Sequence, residues 1–228
     1  MNVNSDLGER AGPDEAILPL IDSANVCCGA HAGSVTDTLA TLRRCAELGL
    51  EVGAHPGYDD REHFGRAEVE LSLPELEALI RYQVGAVAAV ARLGYIKAHG
   101  ALYHHCQAHP DAAEVLARVA ADFHVGLMGQ PGFAIIDACR RAGVPAYREG
   151  FADRAYLPSG LLAPRAQAGA VLGPEAAAAQ ALRLAGSGEY DTICLHGDSP
   201  GAEATARQIR QALALNGVQT GPLASVRH

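Results

Sequence analysis

Short apolar segments alternate seven times with longer amphipathic segments along this chain, and few folds accommodate that order. We predict strands over 1–5, 21–26 and 50–54, over a segment leading into Lys97, and over 124–128, 145–148 and 192–195. Alternating strands and helices indicate a parallel sheet. Seven repeats favour an irregular seven-stranded (β/α) barrel, similar to a TIM barrel, over an open sheet. The length of 228 residues suits one such domain over residues 1–228.

Polar and titratable side chains recur just after the predicted strands. Lys97 and His99 lie two residues apart after an apolar approach, so both side chains should point to the same face. The other strand ends carry Asp6 and Glu9 after the first, His31 after the second, His55 after the third and His196 after the seventh. Because parallel strands bring their carboxyl ends to one edge, we expect these groups to share one pocket.

Several of these side chains allow two interpretations. Asp6 and Glu9 are candidates for a general base or a metal ligand. Lys97 suits an electrophile or an anion clamp, and the alternative is a structural ion pair with Asp6 or Glu9. A single histidine after a strand is more often a hydrogen-bonded structural residue, but four at equivalent positions favour a functional role.

Two long segments without helical periodicity, 56–70 and 150–173, are predicted to be functional loops, the second with a small hairpin. Arg154 in the second loop suits carboxylate or phosphate recognition, with a surface salt bridge as the alternative. Asp198 suits orienting a histidine or binding a hydroxyl or an amine, and the alternative is a cap of the last helix. The adjacent pair at 104–105 is assigned to a loop because its side chains diverge.

Composition argues against several classes of function. A formal net charge of −8 and the lack of a basic cluster argue against nucleic-acid binding. No apolar run reaches transmembrane length, and the first fifteen residues lack the apolar core of a signal peptide. Six cysteines without paired spacing are typical of reduced, buried thiols. We therefore expect a cytoplasmic protein with no membrane or nucleic-acid partner.

Six blocks of the sequence together resemble the LamB/YcsF family, the A subunits of bacterial ATP-dependent 5-oxoprolinase. The blocks are NSDLGE at 4–9, SANVCCGAHAG at 23–33, GAHPGY at 53–58, KAHGALY at 97–103, FADRAY at 151–156 and CLHGDSP at 194–200. The resemblance implies a β/α barrel of the glycoside hydrolase/deacetylase type. It also implies cleavage of 5-oxo-L-proline to L-glutamate coupled to ATP hydrolysis with Mg²⁺, and a complex with 5-oxoprolinase B and C subunits.

The matching residues support a hypothesis for this reaction, in which ATP phosphorylates the lactam oxygen and water attacks the activated carbon. Lys97 and Arg154 would stabilise phosphate charge, while a carboxylate assisted by a histidine would activate water. The residues expected to act in catalysis are Asp6, Glu9, His55, Lys97 and His99, and those expected to bind substrate are Asn25, His31, Arg154, His196 and Asp198. Because the chain has no nucleotide-binding glycine motif, ATP could equally bind on the partner subunits.

The chain departs from the family pattern at Ala30, Ser34, His63 and Ala98. We expect these positions at the mouth of the pocket, where they bear on the substrate more than on the fold. Two alternative functions stay open. One is a metal-dependent hydrolase or deacetylase in which Asp6, His31 and His55 hold a divalent metal and activate water. The other is a non-enzymatic subunit that binds the lactam.

Overall fold

The structure is a computed structural model that describes residues 1–223. Seven parallel strands pair in chain order and close into a barrel, because β1 also pairs with β7. The strands are β1 Asn2–Leu7, β2 Ser23–Cys27, β3 Glu51–His55, β4 Tyr95–Ile96, β5 Gly126–Gly129, β6 Ala146–Phe151 and β7 Thr192–His196. The predicted seven-stranded barrel is therefore confirmed.

Within residues 1–223, eight helices connect and surround the strands. They are α1 Asp14–Ile17, followed by a 3-10 turn at Leu18–Leu20, α2 Val35–Leu48, α3 Leu73–Ala88, α4 Gly100–Ala108, α5 Pro110–Asp122, α6 Ala134–Ala142, α7 Pro174–Ser187 and α8 Ala202–Leu215. Local signals fix several ends: the Ser34 side chain caps α2, and Ser72 with Glu75 forms a capping box on α3. Among residues 1–223, no helix is long and apolar enough to cross a membrane.

The assignment of His104 and His105 to a loop is wrong, because both lie in α4. Leu102, Tyr103 and Cys106 of this helix are buried, and their three- and four-residue spacing is that of a helix face against the core. Helix α3 ends at Ala88, several residues before β4. The chain leaves the helix there because the Gly94 N–H donates to the Val52 carbonyl at 2.8 Å and guides β4 onto β3.

Apolar side chains fill the layer between the barrel and its helices, whereas the interior of the barrel beside β1 is polar. Along β1, alternation sends Val3 and Leu7 into the apolar core and turns Asn4 inward. The Asn4 amide donates to Thr192 Oγ1 at 2.7 Å, and the Asn25 amide donates to Asn4 Oδ1 at 2.7 Å. These bonds satisfy buried polar groups and connect β7, β1 and β2.

Tyr95 extends this interior network from the other side of the barrel. Its hydroxyl donates to Asn25 Oδ1 at 2.7 Å, and the residue is fully buried. Gly53 makes room for the ring, because a Cβ at that position would lie 2.1 Å from Tyr95 Cε2. The interior of the barrel is thus packed with hydrogen-bonded side chains rather than open.

Candidate active site

The carboxyl ends of the strands bring the predicted residues into one buried pocket. Asp6, His55 and His196 lie at or next to the ends of β1, β3 and β7, and Asn25 lies in the middle of β2, in register with Asp6. Lys97 and His99 lie just beyond β4, where the extended chain continues because the Lys97 N–H donates to the Ala54 carbonyl at 3.0 Å. At most 7% of Asp6, His55, Lys97 or His99 is exposed, so their polar groups depend on one another.

Lys97 lies at the base of the pocket between two carboxylates. Its Nζ is 3.0 Å from Asp6 Oδ1, 2.9 Å from Glu149 Oε1 and 3.0 Å from Cys194 Sγ. Burial alone would raise the pKa of Asp6, but the charges of His55 and Lys97 outweigh it and hold that pKa well below its usual range. The predicted structural ion pair between Lys97 and Asp6 is therefore present, and Asp6 is an ionised carboxylate.

Glu9 and three histidines form a second layer above Asp6, which we call the histidine cluster: Glu9, His31, His55 and His99. Glu9 Oε1 lies 3.0 Å from His31 Nε2, 3.3 Å from His99 Nδ1 and 3.7 Å from His55 Nε2. The rings of His31 and His99 stack, with centroids 3.8 Å apart. Burial raises the pKa of Glu9 to about 8, and it lowers the pKa values of His31 and His99 well below 6.5.

Hydrogen bonds to backbone carbonyls determine which ring nitrogens face the centre of this cluster. His55 Nδ1 lies 2.8 Å from the Lys97 carbonyl, and His99 Nε2 lies 2.8 Å from the Phe64 carbonyl. Each of these nitrogens must donate, which leaves lone pairs on His55 Nε2 and His99 Nδ1 in the neutral rings. Those two atoms are 3.0 Å apart, so a proton or a cation must lie between them and the adjacent carboxylates.

This arrangement fits a divalent metal of the kind that imidazole and carboxylate ligands bind. The converging atoms are His55 Nε2, His99 Nδ1 and Glu9 Oε1, with Asp6 Oδ2 at 3.5 Å from His55 Nε2. The same atoms fit a shared proton equally well, because a Glu9 with a pKa of about 8 is largely protonated at pH 7. His31, which the sequence paired with Asp6 and His55 as a ligand, belongs to the same cluster, and its Nε2 lies 3.0 Å from Glu9 Oε1.

His196 is oriented by Asp153, a residue that the sequence analysis did not single out for the site. His196 Nδ1 lies 2.9 Å from Asp153 Oδ1, and its backbone N–H donates to Asp153 Oδ2 at 2.9 Å. The imidazole also stacks against Phe151 at a centroid distance of 5.7 Å. The available signal for Asp153 was its place in the FADRAY block, next to Arg154.

Two predicted substrate-binding residues have other partners in the structure. The Arg154 guanidinium is buried and donates to the carbonyls of Ala163 and Ala170, so it supports its own loop. Asp198 accepts two hydrogen bonds from Arg165, at 2.6 and 2.8 Å, and one from Arg66 at 2.5 Å. The alternative interpretations of both residues are also wrong. Arg154 is buried and does not form a surface salt bridge, and the residue that caps the last helix, α8, is Gly201 rather than Asp198.

The four departures from the family pattern do not form one surface. Ser34 caps α2, Ala98 is buried, and His63 is exposed and paired with Asp60 at 2.8 Å. Ala30 is partly exposed in the loop that precedes His31, and Ser34 is partly exposed as well. Three of the four positions therefore serve local structure in this chain.

Both segments predicted to be long loops lack helices in the structure. The loop at 56–70 reaches over the histidine cluster, since Phe64 accepts from His99 and lies 6.0 Å from His31 between ring centroids. The loop at 150–173 contains two antiparallel bridges, Arg154 to Val171 and Tyr156 to Leu162, which form the small hairpin. All six cysteines are free, and five of them are buried.

Comparisons with known proteins agree with this geometry. The chain is 41% identical over 239 residues to the A subunit of 5-oxoprolinase from Neisseria meningitidis, with 96% of this chain and 98% of the relative covered. The crystal structure of a lactam utilization protein from Thermus thermophilus superimposes with a TM-score of 0.90 at 36% identity, covering 97% of this chain and 98% of that one. A family 4 carbohydrate esterase from Streptomyces lividans shares the fold alone, with a TM-score of 0.54 at 14% identity over 97% and 91% of the two chains. A model of the LamB/YcsF family matches residues 1–228, and the chain belongs to that family.

Proposed function

We propose that this chain is the A subunit of an ATP-dependent 5-oxoprolinase and opens the lactam ring of 5-oxo-L-proline to give L-glutamate. The observation that carries the proposal is an ionised, buried Asp6 next to Lys97 and the histidine cluster, in a chain similar over 96% of its length to a protein named as the A subunit of 5-oxoprolinase. A five-membered lactam is a resonance-stabilised amide, so its carbonyl oxygen must be activated before water can attack.

The proposed reaction consumes ATP and two water molecules. The lactam oxygen attacks the γ-phosphorus of a Mg²⁺-bound ATP, and the bond from that phosphorus to the β-phosphate oxygen breaks, which releases ADP. Asp6, assisted by His55, accepts a proton from the first water as its oxygen bonds to the activated carbon. The ring nitrogen then leaves with a proton, giving an acyl phosphate that the second water hydrolyses to glutamate and phosphate.

The contacts in the pocket support different roles for the cations named from the sequence. Lys97 keeps Asp6 ionised and lies within reach of developing negative charge at the base of the pocket. Arg154 is engaged with two backbone carbonyls, so we assign it a structural role. We propose that B and C subunits complete the enzyme and that they provide some or all of the contacts to ATP.

The test is glutamate release from 5-oxoproline by this chain alone and with candidate B and C subunits, each with and without ATP and Mg²⁺. We expect glutamate only when partners and ATP are both present, because the energy for opening the lactam comes from ATP. Release without ATP, or no release in any mixture whose subunits have been shown to assemble, would contradict the proposal. Omitting each partner in turn provides the matched control.

The lone pairs that converge in the histidine cluster favour a second candidate function, a metal-dependent hydrolase. His55, His99 and Glu9 would hold a divalent cation there, and Asp6 would lie beside it. Such a cation supplies Lewis-acid activation of a carbonyl and lowers the pKa of water. Under this function, Asp6 would remain the group that accepts the proton from water.

This second function predicts about one equivalent of divalent metal per chain in protein purified without chelators. His99→Ala should lose the metal, whereas His124→Ala, at a positive-φ turn before β5, should keep it. The measurements are metal content by mass spectrometry and amide hydrolysis before and after chelation, without ATP. A metal-free chain that needs ATP for all its activity would exclude this function.

A further inference from the structure

Among the described residues, six cations lie on the strand-end side of the barrel; all have partners, and four of them are fully engaged or point away from the pocket. Lys97 lies between two carboxylates, and Arg154 donates to two carbonyls. Arg61 donates to the carbonyls of Gly29 and Gly33. Arg10 points outward, with 68% of its side chain exposed, and pairs with Asp37. Of the six, Arg66 and Arg165 remain as cations whose charge can act on a ligand.

These two arginines share a single carboxylate. Arg165 binds both oxygens of Asp198, which is the strong bidentate geometry for a guanidinium and a carboxylate. Arg66 touches the same Asp198 through Nη2 alone. The three side chains together carry one positive charge, and the charge of Asp198 is already neutralised without Arg66.

Arg66 has hydrogen-bond donors to offer. A guanidinium carries five N–H groups, and among residues 1–223 only Asp198 accepts one from Arg66. The remaining face of the guanidinium packs over the Phe64 ring at 4.7 Å, which fixes its plane. The side chain is 35% exposed, so the unused donors are accessible from the pocket mouth.

Arg66 lies next in the chain to residues that contact the histidine cluster. Two residues earlier, Phe64 accepts the hydrogen bond that orients His99, and a Cβ on Gly65 would lie 2.7 Å from His31 Cβ. Arg66 therefore follows directly on the backbone that covers the histidine cluster. Asp198 follows His196 by two residues just after β7, and its Oδ2 accepts the hydrogen bond from Arg66.

We infer that Arg66, supported by Arg165, binds the carboxylate of the substrate at the mouth of the pocket. This inference rests on the proposed function and deepens it, because 5-oxoproline carries a carboxylate next to its lactam. With the other nearby cations occupied, Arg66 is the described residue that offers both charge and free donors. Asp198 is then a positioning residue that orients the arginines, in place of its predicted role in binding substrate.

The test measures ligand binding to the full chain by titration calorimetry, with Arg66→Ala, Arg66→Lys and the control Arg207→Ala, which removes a cation from an exposed pair with Glu203. The probes are 5-oxoproline, 2-pyrrolidone, which is the same lactam without a carboxylate, and ATP. We expect Arg66→Ala to lower the affinity for 5-oxoproline about 10- to 100-fold, since a hydrogen bond to a charged group is being removed. The affinities for 2-pyrrolidone and ATP should stay within about twofold of the wild-type values. Arg66→Lys should restore part of the affinity, because it keeps the charge.

Each other outcome has a defined meaning. If wild-type protein binds no lactam either alone or assembled with B and C subunits, both the proposed function and this site are wrong. If it binds 5-oxoproline and Arg66→Ala binds it equally well, only the carboxylate site is wrong. If Arg66→Ala lowers the affinity for ATP alone, Arg66 binds a phosphate oxyanion. If it lowers the affinities for all three probes equally, Arg66 holds the two loops together and does not contact the ligand. Either of these results overturns the inference.

Discussion

Replacing Lys97 by methionine is expected to lower the free energy of unfolding by about 3–5 kcal/mol, one of the largest effects of any single substitution in this chain. Methionine keeps the length and the apolar contacts of lysine but removes the charge between Asp6 and Glu149. Both carboxylates are buried, so each would be left without its counter-ion. Urea unfolding of the full chain, followed by circular dichroism, measures the effect.

A double-mutant cycle shows whether the ion pairs cause that loss. Glu149→Gln removes one of the two uncompensated charges, so the Lys97→Met/Glu149→Gln variant should recover about 1–3 kcal/mol relative to the sum of the single changes. If Lys97→Met does not fold but the double variant does, the same conclusion holds. Arg207→Met, at an exposed pair on α8, should cost less than about 1 kcal/mol. If the effects of Lys97→Met and Glu149→Gln on the free energy of unfolding are simply additive, the two side chains are not coupled and the prediction is wrong.

Replacing Asp6 by asparagine is expected to lower kcat of the assembled enzyme by about 10²- to 10⁴-fold, the range found when a positioned general base is removed. The amide has nearly the same shape as the carboxylate but cannot accept the proton of the attacking water. The KM of the Asp6→Asn enzyme for 5-oxoproline should change little, because we assign Asp6 to activating the attacking water rather than to binding the substrate. Steady-state glutamate release measures both constants.

The matched control for that change is Asp22→Asn. Asp22 is a mostly buried carboxylate just before β2 that pairs with Arg210 and accepts from the Val3 N–H, at the opposite end of the barrel. It should keep the kcat of the unmodified chain. If Asp6→Asn also keeps full turnover while the complex still requires this chain, the alternative of a non-enzymatic lactam-binding subunit is correct and the catalytic assignment is wrong.

The sequence predicted the barrel and the strand-end residues because both follow from periodic patterns. A histidine that ends an apolar run must lie at the carboxyl edge of a parallel sheet, which placed His55, and the Lys97–His99 spacing placed two more groups in the pocket. Glu149 was missed because the sixth strand was predicted to end at 148 and continues to Phe151. The available signal was an acidic residue, Glu149, directly after the predicted end of an apolar strand.

Other features depend on contacts between loops that no local pattern encodes. Arg66 and Arg165 are 99 residues apart in sequence and meet only because both bind Asp198. The ring nitrogens that face the histidine cluster are determined by two backbone carbonyls, and their positions require the complete fold. Arg154 is a residue type suited to binding an anion, but its guanidinium N–H groups donate to the carbonyls of Ala163 and Ala170.

The pairing of β1 with β7 has a consequence for how this protein acquires its activity. The two strands join side chains about 190 residues apart, as in the bond from Thr192 to Asn2. Contacts of such sequence separation form late in folding, because the entropy of closing a long loop opposes them. Asp6 comes from the first strand and His196 from the last, so a folding intermediate with an open seam has no assembled pocket. Turnover therefore reports completed folding, and a chain stalled before β7 docks is inactive even when most of its helices have formed.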